Sequence, residues 1–275
     1  MRNPLIGPVL KWVGGKRQLL PELLKRLPQK MNTYYEPFLG GGALFFGIQP
    51  SKAVLNDSNA ELMNVYACIR DCVENLISVL ETHKNEESYF YELRQLDRLP
   101  TYQSLPAVQR AARILYLNRT CYNGLFRVNQ QGEFNSPFGF YKNPNIVNAP
   151  VLRAVSDFLK RAASSLLTGD YEDALKGIRR GAFVYFDPPY APVSNSASFT
   201  GYTQHGFTRD EQRRLHRICK DLHSKGIKFM LSNSSTPFIH GLYRGFTVDL
   251  VQARRNVNSM GDKRGEVDEV IVRNY

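Results

Sequence analysis

Apolar and polar positions alternate along this chain with two different periods. Leucines at 19, 20, 23, 24 and 27 recur every three or four residues, which predicts one buried face of a helix. Short apolar runs that end at turn residues predict strands instead, and the clearest run is 182–186. The predicted strands begin near 33 and occupy 53–57, 165–169, 182–186, 228–232, 247–251 and 268–274. Alternating helices and strands are typical of an α/β protein.

The pattern changes between residues 59 and 164. Residues 59–82 and 106–118 are predicted to be helical, and a stretch rich in asparagine, glycine and aromatic residues follows them. Regular α/β alternation returns afterwards, and a capping box at Thr208 predicts a helix that ends near Ser224. We therefore predict a catalytic domain formed by 1–58 and 165–275, interrupted by a second domain at 59–164.

Composition adds a preference for a polyanionic partner. The chain has 275 residues and a formal net charge of +11, which favours nucleic acid, although solubility alone is an alternative explanation. The four cysteines lack the paired short spacings of a zinc site, so we expect no metal and reduced thiols in a cytoplasmic protein. No apolar run approaches the ~20 residues that span a membrane, and we expect no membrane partner.

The strand at 182–186 ends in Asp187, Pro188, Pro189 and Tyr190. The two prolines stop the strand, so a carboxylate, a carbonyl and an aromatic ring come to the ligand-binding edge of the sheet. The two acceptors suit both N–H groups of a planar amine, and Tyr190 could stack on its ring. This tetrad predicts group transfer to such an amine. The alternative is a rigid Pro-Pro turn with a capping Asp.

Two further segments predict a cofactor site. The glycines at 40–42 precede a predicted helix but do not follow the G-x-G-x-x-G spacing, because Phe45 takes the third position. Asp57 ends the next strand, where an acid can accept the hydroxyls of a ribose. Gly14, Gly15 and Lys16 stand at the start of the first predicted helix and favour an anion or a carboxylate, with a glycine turn and a core Trp as the alternative. An adenosine ligand without a diphosphate fits these features, and S-adenosyl-L-methionine is such a ligand.

The stretch 119–142 predicts contact with double-stranded DNA. An arginine can read guanine and an asparagine can read adenine in the major groove. Tyr122 could stack or act as a wedge, and Lys142 could meet phosphates. A plain Asn-Gly hairpin with aromatic packing is the alternative. We also predict a mobile flap at 191–207 and a phosphate-facing basic stretch at 254–265, for which a solvated loop is the alternative.

The order of these motifs resembles the Dam-type family of DNA adenine-N6 methyltransferases. The resemblance rests on Lys11 to Lys16, Glu36 to Gly42, Asn56-Asp57, Arg119 to Tyr141 and Asp187 to Tyr190. It implies a Rossmann-like methyltransferase sheet of seven strands, the last one antiparallel, with an inserted helical and hairpin target-recognition domain. It also implies that Asp187, Pro188, Pro189 and Tyr190 hold a flipped adenine. The candidate residues for S-adenosyl-L-methionine are Trp12, Lys16, Glu36, Phe38, Gly40, Gly42, Asp57, Asp170, Tyr171 and Asp187.

The resemblance further implies recognition of GATC. The candidate DNA-binding residues are Lys11, Arg119, Tyr122, Asn123, Leu125, Arg127, Asn135, Pro137, Tyr141 and Lys142. Phe126, Ser136 and Phe140 depart from the family pattern. We expect a monomer, and the family leaves room for a cognate restriction endonuclease as a separate protein. Two alternatives stay open: a methyltransferase for RNA adenine, cytosine N4 or protein glutamine, and a DNA-binding module without catalysis.

Overall fold

The computed structural model describes residues 2–12, 14–16, 18–129, 131–192, 207–254 and 266–275. Within these ranges, seven strands form one sheet in the order β3-β2-β1-β4-β5-β7-β6. The strands are β1 (Thr33–Glu36), β2 (Ala53–Asp57), β3 (Ala163–Thr168), β4 (Ala182–Phe186), β5 (Lys228–Ser234), β6 (Thr247–Arg254) and β7 (Glu266–Arg273).

The first five strands are parallel, and β7 runs antiparallel to both of its neighbours, β5 and β6. The predicted seven-stranded α/β sheet with an antiparallel last strand is therefore confirmed. The strands that follow β1 in sequence, β2 and β3, lie on one side of it, and the strands that follow β4 lie on the opposite side of the sheet. The strand order thus reverses between the neighbouring strands β1 and β4. Such a reversal opens a crevice at the carboxyl ends of the strands, where open α/β sheets bind ligands.

The predicted helical segments are helical with one added break, and α5, α7 and α9 are helices that were not predicted. They are α1 (Leu20–Lys25), α2 (Ala43–Ile48), α3 (Ala60–Asp71), α4 (Val73–Glu81), α5 (Glu87–Gln95), α6 (Ala107–Thr120), α7 (Ala149–Ala162), α8 (Arg209–Ser224) and α9 (Pro237–Leu242). The segment predicted as one helix over 59–82 divides at Cys72, whose backbone leaves helical geometry (φ −144°, ψ 46°). Helix α8 begins as predicted, because the Thr208 side chain accepts the Glu211 amide. No helix in the described ranges is long and apolar enough to cross a membrane.

The helices between β2 and β3 share a hydrophobic core with the sheet. Phe158 of α7 packs on Phe45 of α2 with ring centres 4.9 Å apart, and buried Tyr66 of α3 lies near Phe46. A second apolar cluster includes β4, β5, α8 and α9. The domain boundaries at 58–59 and 164–165 stay predictions.

The stretch 119–142 is an irregular hairpin. Antiparallel bridges join Cys121 to Phe138 and Val128 to Phe134. Asn123 and Gly124 both adopt left-handed backbone geometry, with φ of 58° and 63°. Asn and Gly adopt left-handed geometry more readily than other residues, which explains why an Asn-Gly dipeptide stands at this tight turn.

Candidate active site and DNA interface

The tetrad lies at the carboxyl end of β4, beside β1. All five residues of β4 are buried, and the strand pairs with β1 on one side and β5 on the other. Pro188 and Pro189 have no backbone N–H and cannot extend the ladder. Asp187 and Tyr190 therefore leave the sheet at the crevice where the chain order reverses.

Lys16 joins the segment before α1 to the tetrad. Its Nζ lies 2.9 Å from Asp187 Oδ1, and it donates to the Gly14 carbonyl at 2.6 Å. The same ammonium lies 4.5 Å from the centre of the Tyr190 ring. The side chains of Lys16 and Asp187 are only 10% and 19% exposed. Burial raises the pKa of Asp187 to about 6, Lys16 opposes the rise, and the charge of Glu269 adds to it.

Two buried amides fix the backbone that follows Asp187. Gln212 Nε2 of α8 donates to the Pro189 carbonyl at 3.0 Å. Asn233 of β5 accepts the Ala191 amide through Oδ1 and donates through Nδ2 to Gln212 Oε1, both at 3.0 Å. No residue in the described ranges donates to the Pro188 carbonyl. Among the described residues, the second proline carbonyl therefore has a donor and the first has none.

The glycine turn, Asp57 and Trp12 form a second group at the same edge. Asp57 accepts the Gly40 amide through Oδ2 at 2.8 Å and the Asn59 amide through Oδ1 at 2.9 Å. Gly40 has a φ of 49°, and a Cβ there would lie 3.0 Å from Trp12 Cδ1. Gly42 also has a left-handed φ, of 65°, and precedes α2. The indole can approach this turn closely because residue 40 has no side chain.

Phe38 and Tyr171 pack together beside this turn, with ring centres 4.8 Å apart. The Tyr171 hydroxyl donates to Glu211 at 3.1 Å, and Arg214 lies over the Tyr171 ring. Asp170 accepts two hydrogen bonds of 2.8 Å from Arg214, and these lower its pKa.

Glu36 is buried, and its carboxyl accepts the Tyr34 hydroxyl at 2.8 Å. Burial raises the pKa of Glu36 well above its usual range. Asp170 and Glu36 thus both have protein partners, and their predicted roles in cofactor binding stay predictions.

The candidate DNA-binding residues form an exposed surface on the hairpin. Tyr122 is 60% exposed, whereas Leu125 and Asn135 are half-buried. Asn123, Arg127, Pro137, Tyr141, Lys142 and Lys11 are also exposed. Arg119 is half-buried and donates to the Val9 carbonyl at 2.6 Å.

Asn118 holds the hairpin against the segment that leads to Lys16. Its side chain accepts the Lys11 amide at 2.9 Å and donates to the carbonyls of Lys11 at 2.8 Å and Gly124 at 3.0 Å. Trp12 stacks on Phe126, with ring centres 4.3 Å apart. The structure thus joins Lys11 to the hairpin residues, as a shared DNA surface requires. Residues 193–206 of the predicted flap and 255–265 of the predicted basic stretch lie outside the described residues.

Comparison with known proteins decides the family. Residues 12–257 match the family described as D12 class N6 adenine-specific DNA methyltransferase. The chain belongs to this family. This methyltransferase is 46% identical over 272 residues to the type II methyltransferase M1.LlaDCHI of Lactococcus lactis subsp. cremoris, covering 98% of this chain and 96% of that relative. It is 33% identical over 267 residues to the DNA adenine methylase of Escherichia coli K12, covering 95% of this chain and 93% of that relative.

Another similar protein is the type II methyltransferase M.MjaIII of Methanocaldococcus jannaschii. It is 39% identical over 290 residues, which cover 98% of this chain and 99% of the relative. The predicted resemblance and the predicted enzyme class are confirmed: the chain is an adenine-specific DNA methyltransferase.

Four residues of the site were not singled out by the sequence analysis: Asn118, Gln212, Asn233 and Glu269. Tyr190 donates its hydroxyl proton to Glu269 Oε2 at 2.7 Å, across 79 positions of the chain. Gln212 lies at a buried position of an amphipathic helix, and Asn233 lies in an apolar strand. A side-chain amide at such a position needs a hydrogen-bond partner, and this was the signal that could have pointed to both residues. No local pattern indicates the partner of Glu269.

Proposed function

We propose that this methyltransferase transfers a methyl group from S-adenosylmethionine to N6 of an adenine flipped out of duplex DNA, within GATC. The arrangement at the end of β4 carries the proposal. There the buried Asp187 carboxylate and the Pro188 carbonyl accompany the Tyr190 ring at the strand-order reversal. Two acceptors and one aromatic face match the two N–H groups and the planar ring of adenine.

Base flipping follows from the burial of this site. N6 of a stacked and paired adenine cannot reach a carboxylate that is four-fifths buried, so the base must leave the duplex at a cost of a few kcal/mol. Stacking on Tyr190 and contacts from the exposed hairpin residues offset this cost.

Asp187 and Pro188 then prepare the amine. Its lone pair is delocalised into the ring, and two acceptors out of the ring plane favour a pyramidal nitrogen with a localised lone pair. The ionised form of Asp187 is the better acceptor, since it carries charge toward the developing positive nitrogen. No formal base has to act first, because the amine becomes strongly acidic once it is positively charged.

The residues around the glycine turn fit S-adenosylmethionine. Each Asp57 oxygen accepts one backbone amide, and a carboxylate has about four lone-pair sites, so acceptors remain for ribose hydroxyls. Phe38 offers an apolar face to an adenine, and the left-handed Gly40 lets a ligand approach the backbone. When bound, S-adenosylmethionine supplies an electrophilic methyl group.

Recognition of GATC is assigned to the exposed hairpin together with Lys11. Arg127 and Asn123 supply groups that read guanine and adenine edges, and Tyr122 supplies a stacking face. We also propose that the protein acts as a monomer. The relatives named type II methyltransferases are the reason to seek a separate restriction endonuclease.

Substitution of Asp187 by Asn tests the proposal. Wild type should label a duplex with one GATC from tritiated S-adenosylmethionine, with N6-methyladenine as the product. It should not label the same duplex with 2-aminopurine in place of the adenine. Asp187→Asn should lower kcat by about 10²- to 10³-fold, because it removes a charged acceptor from the transition state.

Asp173→Asn is the control, because it removes an exposed carboxylate that pairs with the exposed Lys176. It should methylate like wild type. Full activity of Asp187→Asn, or equal labelling of the 2-aminopurine duplex, would overturn the proposed chemistry. Preferential labelling of RNA of the same sequence would overturn the substrate.

A further inference from the structure

We infer that Glu269 is a positioning residue for methyl transfer, which holds the Tyr190 ring in the plane that receives the adenine. The inference rests on the role of Tyr190 in the proposed function. Glu269 touches neither the substrate nor the cofactor in this scheme. It acts through the Tyr190 hydroxyl, which donates to its Oε2 at 2.7 Å.

The antiparallel direction of β7 brings Glu269 to the active edge. Glu269 pairs with Ser234 at the carboxyl end of β5, whereas Arg273 pairs with Met230 farther back on that strand. A parallel strand would place its last residues at this edge instead. Because β7 is antiparallel, Glu269 in its first half lies at the carboxyl ends of the parallel strands.

Contacts at two places restrain the Tyr190 ring. Lys16 Nζ lies over one face at 4.5 Å from the ring centre, and Glu269 accepts from the hydroxyl at the far end. The hydroxyl bond fixes the direction of the ring axis, because a change of χ1 would break it, and Lys16 over one face opposes rotation of the ring about that axis. The Tyr190 ring is therefore already oriented before a flipped base stacks on it. Because the side chain loses little conformational freedom on binding, the entropic cost of stacking is lower.

Glu269 also acts on Asp187 through space. The charged and titratable groups around this carboxyl are Lys16 from the N-terminal segment, Tyr34 and Glu36 from β1, Tyr185 and Tyr190 from β4 and the turn after it, and Glu269 from β7. The negative charge of Glu269 raises the pKa of Asp187, and Lys16 lowers it. A neutral acceptor at 269 would keep the hydrogen bond and remove only the charge effect.

Three variants separate these roles. Glu269→Ala removes acceptor and charge, Glu269→Gln keeps an acceptor, and Tyr190→Phe keeps the ring without its hydroxyl. Glu269→Ala should lower kcat about 10-fold, because that factor corresponds to the free energy that one hydrogen bond to a charged group contributes. In the Tyr190→Phe background, the same substitution should change kcat less than about two-fold, because the bond is already absent.

Two readouts would not respond to a purely structural role. With 2-aminopurine at the target position, Glu269→Ala should reduce the change in fluorescence that accompanies stacking on Tyr190. Glu269→Gln should rescue most of kcat and move the acid limb of kcat/KM to lower pH, because the charge that raises the pKa of Asp187 is gone. Asp268→Asn is the matched control, since its exposed side chain is the neighbour on the same strand; it should leave both readouts unchanged.

The outcomes distinguish this inference from the proposed function. If wild type and Asp268→Asn fail to methylate adenine, the proposed function fails. If they methylate but Glu269→Ala behaves like Asp268→Asn, the inference fails alone. Equal losses from Glu269→Ala in the wild-type and Tyr190→Phe backgrounds would also overturn it. Glu269→Gln and Tyr190→Phe change few atoms and keep the comparison available if Glu269→Ala does not fold.

Discussion

At the residue scale, the proposed chemistry makes activity depend on the charge state of Asp187. The ionised carboxylate is the form that accepts an N6–H bond, and burial raises its pKa to about 6. We therefore expect kcat/KM to rise with pH through about 6 and then to level off. Lys16→Met should move this limb to higher pH, because the ammonium 2.9 Å from Oδ1 favours the ionised form. The rates of wild type and of Lys16→Met with the GATC duplex, from about pH 5 to about pH 8 at constant ionic strength, measure the rising limb of each pH profile.

The position of the limb is informative even if Lys16→Met also weakens cofactor binding, because weaker binding lowers kcat/KM at every pH. Lys25→Met is the control, since Lys25 is exposed and pairs with Glu22 on α1. A limb that stays in place or moves to lower pH in Lys16→Met would contradict this assignment. The same pKa predicts that the contribution of Asp187 to the free energy of unfolding decreases as pH rises from about 4 to about 6.

At the element scale, α8 and β5 hold the tetrad backbone through one chain of amides. Asn233 Oδ1 accepts the Ala191 amide, so its Nδ2 must donate to Gln212, whose Nε2 must then donate to Pro189. Both side chains are buried. Gln212→Ala should reduce the free energy of unfolding by about 1–3 kcal/mol, because it leaves two buried polar groups without partners. It should also lower kcat, because the Pro188–Ala191 backbone loses its anchor.

Urea denaturation and single-turnover rates measure these two effects. Lys220→Ala is the control on the same helix, since its side chain is exposed. If Gln212→Ala has a normal kcat but a reduced free energy of unfolding, the chain of amides supports the fold but does not position the tetrad. Unchanged stability would contradict the burial argument itself.

This network also shows what the sequence could and could not predict. The strands, the glycine turn and the tetrad were predictable because their causes are local: apolar runs, left-handed glycines and two prolines that stop β4. Gln212 and Glu269 were not, because their bonds to the tetrad region span 23 and 79 positions. The Glu269 contact depends on β7 entering the sheet between β5 and β6 in reverse direction, and the Gln212 contact depends on α8 lying beside β5. No short pattern encodes either arrangement.

At the scale of the whole molecule, the proposed recognition of GATC requires that its two DNA-reading parts, Lys11 and the hairpin, keep a fixed relation to each other. The net charge of +11 supplies attraction to any duplex, but this attraction carries no sequence information. Discrimination requires that Lys11 and the hairpin meet the same few base pairs together. The buried Asn118 amide provides that relation, because it bonds to both carbonyls and to one amide across the junction.

Asn118→Asp should therefore reduce specificity more than binding. The carboxylate can still accept the Lys11 amide, but it cannot donate to the carbonyls of Lys11 and Gly124. We expect the ratio of kcat/KM for GATC over single-base variants to fall about 10-fold, which corresponds to the loss of one well-placed base contact. The slope of log affinity against log salt should not change, because no phosphate contact is removed. Asn64→Asp is the control, since the Asn64 side chain donates to the Ala107 carbonyl and accepts from the Cys68 thiol, both within the helical region. Equal losses on GATC and on its variants would mean that Asn118 supports the fold without holding the two reading parts in register.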